Sequence, residues 1–219
     1  NGLEGEPATP FIAEHYAPND THSADYRSER LFYTRENALF IDRVREKIEE
    51  LYPERGVQGG EGLSGGVCHN DDGADAAVGN GLDPRRRRAK ELLLALLLYE
   101  AATHTNTSGV FKAYHKGFGG HGKDALRRIT SPMELEYPVL VENDPAVEVS
   151  YLDPPFTGHQ YGRNYHLLKT IALWDFPAVE KEWKADGSLR SKAGIREDWN
   201  RTRSDFCYRD TAPQALRDV

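Results

Sequence analysis

The sequence predicts an α/β fold with a partial, open sheet and a largely helical inserted region. Val147, Val149 and Tyr151 alternate with polar residues, as the residues of a half-buried strand do. Residues 35–51 repeat apolar side chains at helical spacing, and residues 85–103 include a leucine-rich run that is typical of a second helix. The 219 residues can bury one good core with a lobe attached.

The residues before position 54 are expected to form a segment of helix and loop. Residues 11–16 are interpreted as a short extended or turn-flanked piece, and a polar loop follows over residues 19–30. Thr34 can cap a helix over residues 35–51, because a threonine side chain can accept a free N–H of the first turn. The apolar residues that share its inward side are Phe40, Ile41, Val44, Ile48 and Leu51.

Residues 54–84 are rich in Gly, Asp, Ala and Ser without an apolar period. This composition predicts a flexible linker, since too little surface can be buried to offset the entropy of ordering. The next helix begins with four arginines, residues 85–88, which could clamp phosphates or simply form a solvated helix start. That helix continues to about Thr103 and is apolar nearly all round, so we expect it to be buried.

Glycines alternate with aromatic and basic residues over residues 106–123, which we call the Gly-rich segment. Glycine lets a main chain approach a sugar–phosphate backbone closely, lysines neutralise its charge and aromatic rings stack on bases. The alternative is a glycine-rich loop that is docked on the core. A short helix is expected over residues 123–129. The basic side chains of this region are Lys112, Lys116, Lys123, Arg127 and Arg128.

The predicted strand that contains Tyr151 ends at Asp153-Pro154-Pro155-Phe156, which we call the corner. Proline fixes φ and donates no hydrogen bond, so the carboxylate, the carbonyl groups and the ring of the corner are expected to project from the strand's end. A flat ring beside hydrogen-bond acceptors suits an exocyclic amine on a planar heterocycle. An ordinary surface turn is the alternative, because proline pairs commonly mark loops.

Residues 151–175 resemble a motif region of the Dam-like, alpha-group N6-adenine-specific DNA methyltransferases. That family carries Asp-Pro-Pro-Tyr, then a Gln-Tyr pair and then an Asn-Tyr-His-Leu-Leu run. The same order occurs in this chain, with Phe156 in place of the tyrosine, a change that keeps the stacking face. Residues 11–16, 30–42 and 106–113 are similar to further segments of the family.

This resemblance implies a partial Rossmann-like methyltransferase sheet. Residues 136–219 would belong to the catalytic methyltransferase domain, and residues 85–135 to a helical target-recognition region. The implied activity is S-adenosylmethionine-dependent transfer of a methyl group to the N6 amino group of adenine in double-stranded DNA, after the base is flipped out of the duplex. The implied setting is a restriction-modification system, with a cognate restriction endonuclease as a possible partner.

The resemblance also implies roles for individual residues of the corner and its surroundings. Asp153 and the Pro154 carbonyl would accept the amino hydrogens of adenine, and Asp153 would contact the cofactor as well. Pro155 would complete the corner, and Phe156 would stack on the base. The substrate pocket would be shaped by His159, Gln160 and Tyr161. DNA would be held by Lys112, Lys116, Lys123, Arg127 and Arg128.

The family binds S-adenosylmethionine with a Phe-x-Gly-x-Gly turn that follows its first strand, and no such turn behind a predicted strand is found in the sequence. Gly59-Gly60-Glu61-Gly62 lies in the polar linker with no strand before it and cannot serve as that turn. The chain is therefore expected to be a fragment without the N-terminal cofactor motifs, and its activity alone stays open. A non-catalytic DNA-binding remnant is the alternative. A third hypothesis is a methyltransferase that acts on an amide or on RNA, and Asp153 argues against the amide because the glutamine-modifying relatives prefer asparagine there.

The net charge of −7, from 35 acidic and 28 basic residues, does not favour a nucleic-acid partner. Any DNA contact must therefore come from a local basic patch. Cys68 and Cys207 are the two cysteines, and they are interpreted as reduced thiols in a cytoplasmic protein. No metal site is expected, because the histidines have no cysteine partners at ligand spacing.

Overall fold

The computed structural model describes residues 5–53, 83–129 and 158–217. These ranges contain six α-helices: α1 Phe11–Tyr16, α2 Arg35–Leu51, α3 Pro84–Thr103, α4 Tyr161–Asn164, α5 His166–Leu173 and α6 Ala212–Arg217. Three 3₁₀ turns join them, at Gly120–Lys123, Glu197–Thr202 and Asp205–Cys207. Helices α1, α2, α3 and α5 enclose the core.

The predicted α/β fold with a partial Rossmann-like sheet is wrong, because the described residues are helical and contain no β-strand. Their one pairing of extended residues is an isolated antiparallel bridge between Trp183 and Leu189. The prediction depended on the alternation of Val147, Val149 and Tyr151, which lie outside the described residues. Elsewhere the apolar residues recur at helical spacing, and helices are what they form.

Helix α2 is the central element, and it has the predicted bounds. The Thr34 side chain accepts the Asn37 N–H at 3.1 Å, which satisfies a free donor of the first turn. Ile41 and Ile48 are buried on the inward side. Further along α2, the buried Arg45 donates from Nε to the Ile171 carbonyl at 2.7 Å, in the last turn of α5.

Helix α1 replaces the extended or turn-flanked piece that was expected at residues 11–16. Its first free N–H groups, those of Ile12 and Ala13, donate to the two carboxylate oxygens of Asp42 at 2.9 Å each. Asp42 lies on α2 and is fully buried, and this burial raises the pKa of its carboxyl group to about 7. The cap comes from thirty residues away, so no local sequence signal could have indicated this helix.

Helix α3 begins near the predicted residue but is not buried all round. The Asp83 side chain caps it at the Arg85 N–H, and the helix continues to Thr103. Leu97 and Ala101 are buried against the core, whereas the Leu92 side chain is 61% exposed. The expectation of full burial is therefore wrong for the described residues.

Helices α4 and α5 follow one another closely and are separated at Tyr165. Leu167 and Ile171 of α5 face the core, and both are fully buried. Trp174 ends α5 in the left-handed conformation at φ 54°. None of the described helices is both long and apolar enough to cross a lipid bilayer.

The short helix expected over residues 123–129 is absent. A 3₁₀ turn ends at Lys123, and the backbone then becomes extended at Asp124. The Asn37 side chain on α2 holds this stretch by two bonds: Nδ2 donates to the Asp124 carbonyl at 2.9 Å, and Oδ1 accepts the Leu126 N–H at 2.8 Å. These bonds stabilise an extended path in place of a helix.

Candidate nucleic-acid interface

Asn106 fixes the start of the Gly-rich segment against the core. Its main-chain N–H donates to the Phe32 carbonyl at 2.8 Å. Its side-chain Nδ2 donates to two further carbonyls, those of Leu31 at 3.0 Å and His115 at 3.1 Å. Because Asn106 is only 1% exposed, water cannot replace these bonds. The bonds of Asn106 therefore join the start of the segment to the core and also join it to His115, nine residues later.

Phe111 fixes the middle of the same segment through both of its main-chain polar groups. Its N–H donates to the Asn164 carbonyl at 2.8 Å, and its carbonyl accepts from His166 Nε2 at 2.9 Å. We call this pair of bonds the Phe111 clamp. Asn164 ends α4 and His166 begins α5, so the clamp joins the Gly-rich segment to the helices that follow the corner in sequence.

His166 is a buried residue that packs in the core. Its side chain is fully buried and lies 5.9 Å from the Tyr16 ring, centroid to centroid. Nδ1 has no hydrogen-bond partner, which fits a neutral ring that carries its proton on Nε2. Burial lowers the pKa of this imidazole to about 4. The ring is therefore uncharged near pH 7 and holds the Phe111 carbonyl by a neutral hydrogen bond.

A cavity of about 330 Å³ lies between the end of α3 and the Gly-rich segment. Gly122 packs closely against Asn106: a Cβ atom at this position would lie 3.0 Å from the Asn106 Cα and would push the two stretches of main chain apart. Thr105 and the two histidines His115 and His121 supply the polar side of the wall. None of the residues that line this cavity is a carboxylate, so it can accept a neutral or negatively charged group.

The five basic residues predicted to bind DNA lie on or just after the Gly-rich segment. Lys112 is partly exposed, and the other four are exposed. Lys116 Nζ lies 5.5 Å from the centroid of the Tyr26 ring. Arg127 and Arg128 follow the buried Leu126 in the extended stretch that Asn37 holds. Their role in binding DNA stays a prediction.

The three residues predicted to shape the substrate pocket differ in exposure. The Gln160 side chain is 2% exposed and uses its amide on one residue: Nε2 donates to the Ser204 carbonyl at 2.9 Å, and Oε1 accepts the Ser204 N–H at 2.8 Å. His159 is exposed, and Tyr161 is 55% exposed with its ring edge-on to Tyr165. The Gln160 side chain thus holds Ser204 in place, whereas the side chains of His159 and Tyr161 are accessible.

The corner itself, Asp153, Pro154, Pro155 and Phe156, lies outside the described residues. The contact of Asp153 with the cofactor is therefore a prediction, as are the contacts of the corner with adenine. Sequence reasoning missed the Phe111 clamp, although the Asn-Tyr-His run that forms half of it was recognised. Its other half lies 53 residues earlier, and only the fold brings the two together.

The same part of the chain carries the signature of a known family. Residues 89–188 match the family model described as D12 class N6 adenine-specific DNA methyltransferase. The match begins in α3 and extends over the Gly-rich segment, the corner and α5. The predicted resemblance is confirmed: the chain is related to the D12 class of N6 adenine-specific DNA methyltransferases.

The chain is also similar to individual curated proteins. It is 30% identical over 183 residues to the modification methylase LlaI of Lactococcus lactis subsp. lactis, which is 75% of this chain and 24% of that protein. It is 30% identical over 204 residues to the type II methyltransferase M.NlaIII of Neisseria lactamica, 85% of this chain and 46% of the relative. It is 31% identical over 171 residues to the type II methyltransferase M.CviAII of Paramecium bursaria Chlorella virus 1, which is 74% of this chain and 40% of that protein.

The chain thus spans between a quarter and a half of the length of these three relatives. Enzymes of a methyltransferase family use a methyl donor, and the family that matches here is described by its action on DNA. No solved structure matches the chain.

Proposed function

We propose that this chain supplies the corner and the DNA-binding region of an enzyme that transfers a methyl group from S-adenosylmethionine to the N6 amino group of adenine in double-stranded DNA. The observation that carries the proposal is the Phe111 clamp, which lies within the stretch that matches the family model. It attaches a basic, glycine-rich surface to the helices that directly follow the corner. A DNA contact and a reacting base would therefore be positioned by one rigid unit.

At the corner, three groups would hold the flipped adenine. The Asp153 carboxylate and the Pro154 carbonyl accept the two hydrogens of the N6 amino group, and the Phe156 ring stacks on the face of the base. Accepting both hydrogens moves electron density onto the nitrogen, whose lone pair then forms the new N–C bond. S-adenosylmethionine, when bound, supplies the methyl group and retains the electron pair of the broken S–C bond. The surplus proton leaves the nitrogen for Asp153 or water.

Among the residues that follow the corner, Gln160 would hold the main chain in place, and His159 and Tyr161 would contact the base. The Gln160 amide is used by Ser204, so this side chain would fix the chain four residues after the corner instead of contacting the base. His159 and Tyr161 are exposed on either side of it and are free to line the pocket for the base. Pro155 would keep the corner rigid, since a proline ring fixes φ and the residue donates no hydrogen bond.

DNA would be bound by a local surface rather than by the charge of the whole chain. The protein carries a net charge of −7, so nonspecific attraction to DNA is unfavourable at long range. Exposed cations on and after the Gly-rich segment can neutralise phosphates one by one, each releasing condensed counterions. This gives Lys112, Lys116, Lys123, Arg127 and Arg128 the task of orienting the duplex.

A restriction-modification system is the setting we propose, because M.NlaIII and M.CviAII are both type II methyltransferases. A cognate restriction endonuclease would then be the partner whose cleavage the methyl group blocks. The cytoplasmic location expected from the cysteine content stays a prediction.

The substitution Asp153→Ala tests the role of the corner. It removes an acceptor that is needed while charge shifts on the amino nitrogen, and losing one such group typically lowers the rate by about 10²–10³-fold. We expect this loss of methyl transfer in the intact protein, with the circular dichroism spectrum and DNA affinity unchanged. Glu91→Ala, at an exposed carboxylate of α3, is the matched control and should keep full activity. Loss of folding in Asp153→Ala would instead make the corner an ordinary structural turn.

A further inference from the structure

A second cluster of positive charge surrounds one aromatic ring outside the Gly-rich segment. Three cationic groups lie near the centroid of the Tyr26 ring: Lys116 Nζ at 5.5 Å, Lys192 Nζ at 5.5 Å and the Arg27 guanidinium carbon at 5.9 Å. All three side chains are exposed, and Tyr26 is partly exposed. We call these four residues the Tyr26 patch.

Hydrogen bonds hold together the three chain segments that meet at the Tyr26 patch. Tyr114 Oη, from the Gly-rich segment, donates to the Glu29 carbonyl at 2.8 Å and lies 3.2 Å from the Tyr26 carbonyl. From the other side, the Leu189 N–H donates to the Arg27 carbonyl at 2.7 Å. These bonds fix the main chain of the three segments, so the three cationic side chains start from defined positions around one ring.

The carboxylates near the Tyr26 patch offset only part of its positive charge, since two acids stand against three cations. Asp25 and Asp186 are the acids that act on Arg27, and their oxygens accept hydrogen bonds from main-chain N–H groups and serine hydroxyls rather than from the guanidinium. Asp25 accepts the Arg27 N–H at 3.0 Å and the Ser28 hydroxyl, and Asp186 accepts the Ser188 N–H and hydroxyl. Among the described carboxylates, none forms an ion pair with any of the three cations.

Three exposed cations at one ring repel one another, and the ring compensates by only about 0.5–1 kcal/mol for each exposed cation–π contact. A partner with closely spaced negative charges would relieve this repulsion. DNA presents one such charge on each strand for about every 3.4 Å of helix axis, and the sugar edge offers an apolar surface for the ring. The patch is also continuous with the predicted DNA-binding residues, because Lys116 belongs to both.

We propose that the Tyr26 patch binds the sugar–phosphate backbone of duplex DNA next to the Gly-rich segment. This inference rests on the proposed function and extends it, because Tyr26, Arg27 and Lys192 lie outside residues 89–188, the stretch that matches the family model. The patch contacts no base, so it increases affinity and fixes orientation without adding sequence preference.

Binding of a 30-base-pair duplex, measured by fluorescence anisotropy over a series of salt concentrations, tests this proposal. Arg27→Ala and Lys192→Ala should each weaken binding about tenfold at 0.1 M salt and reduce the slope of log K against log salt by about 1. The double variant should lose about 2 units of slope. The loss should be the same for duplexes of different sequence.

Lys184→Ala is the control, since Lys184 is exposed in the same part of the chain but does not belong to the patch. An equal loss in this control would overturn the proposal, because the effect would then reflect general charge. The proposal would also be overturned if the wild-type protein binds DNA and the double variant binds it with the same affinity and the same slope. The proposed function would survive that result. If the wild-type protein neither binds nor methylates DNA, the proposed function fails together with the patch.

Discussion

The base and the rim of the Gly-rich segment differ in what they contribute. At the base, Asn106 and Phe111 are 1% and 2% exposed and are held by hydrogen bonds to the main chain or from it. At the rim, Lys116 and Lys123 are exposed. One short stretch of sequence thus contains residues that determine the shape of the surface and residues that determine its charge. The two groups should respond differently to substitution.

The largest effect on stability is expected at Asn106. Asn106→Ala leaves the Leu31 and His115 carbonyls without this donor in a buried setting, and each lost partner costs about 1–3 kcal/mol. We expect the free energy of unfolding to fall by about 2–4 kcal/mol in urea titrations. Ser108→Ala, at an exposed position of the same segment, should change it by less than about 0.5 kcal/mol. Equal stability of the two variants would contradict the division into base and rim.

A smaller effect, dependent on pH, is expected at His166. Burial lowers the pKa of its imidazole from 6.5 to about 4, so the folded state holds the neutral form. Its contribution to stability is complete above pH 6.5 and is lost as the pH falls towards 4, by about 2–3 kcal/mol in all. His166→Gln, which keeps a donor for the Phe111 carbonyl and does not titrate, should flatten this part of the profile. An unchanged profile would show that His166 is not the group responsible.

Asp42 changes stability with pH in the direction opposite to His166. Comparing the wild type with His166→Gln separates the two contributions. Burial raises the pKa of Asp42 from 3.8 to about 7, so its contribution is complete below pH 3.8 and is lost as the pH rises through 7. The profile of the wild type therefore contains two opposing slopes between pH 4 and 7. Only the difference between wild type and His166→Gln isolates the histidine, because Asp42 is common to both.

The smallest effect on stability is expected at the rim. Lys123→Ala removes an exposed cation and should change the free energy of unfolding by less than about 0.5 kcal/mol. The same change should weaken DNA binding about tenfold at 0.1 M salt, through the loss of one phosphate contact. Anisotropy and urea titrations on one preparation measure both quantities. Loss of stability without loss of affinity would reverse the assignment.

Local signals in the sequence explain which helices could be predicted. Helix α2 has a cap at Thr34 and a clear apolar period, and both act within a few residues, so its bounds were predicted correctly. Helix α1 depends on Asp42, which belongs to another helix, and it was missed. The leucines of α3 predicted its helical state but not its burial, because composition does not say how many neighbours will cover a helix.

The candidate site was predictable in part for the same reason. The spacing of glycines and bases marked the Gly-rich segment, and the family resemblance marked the corner. The Phe111 clamp and the Tyr26 patch join residues that are far apart in the chain, and Lys192 lies in a polar stretch without any motif. Contacts of this kind are set by tertiary packing, which residue patterns do not encode directly.

The proposal that this protein methylates adenine is tested by identifying the methylated base. The intact protein is incubated with S-adenosylmethionine and a long duplex of mixed sequence, and the digested nucleosides are analysed by mass spectrometry. We expect N6-methyladenine with the wild-type protein and with Glu91→Ala, and none with Asp153→Ala. Methylated cytosine in place of methylated adenine, or equal N6-methyladenine from Asp153→Ala, would contradict it.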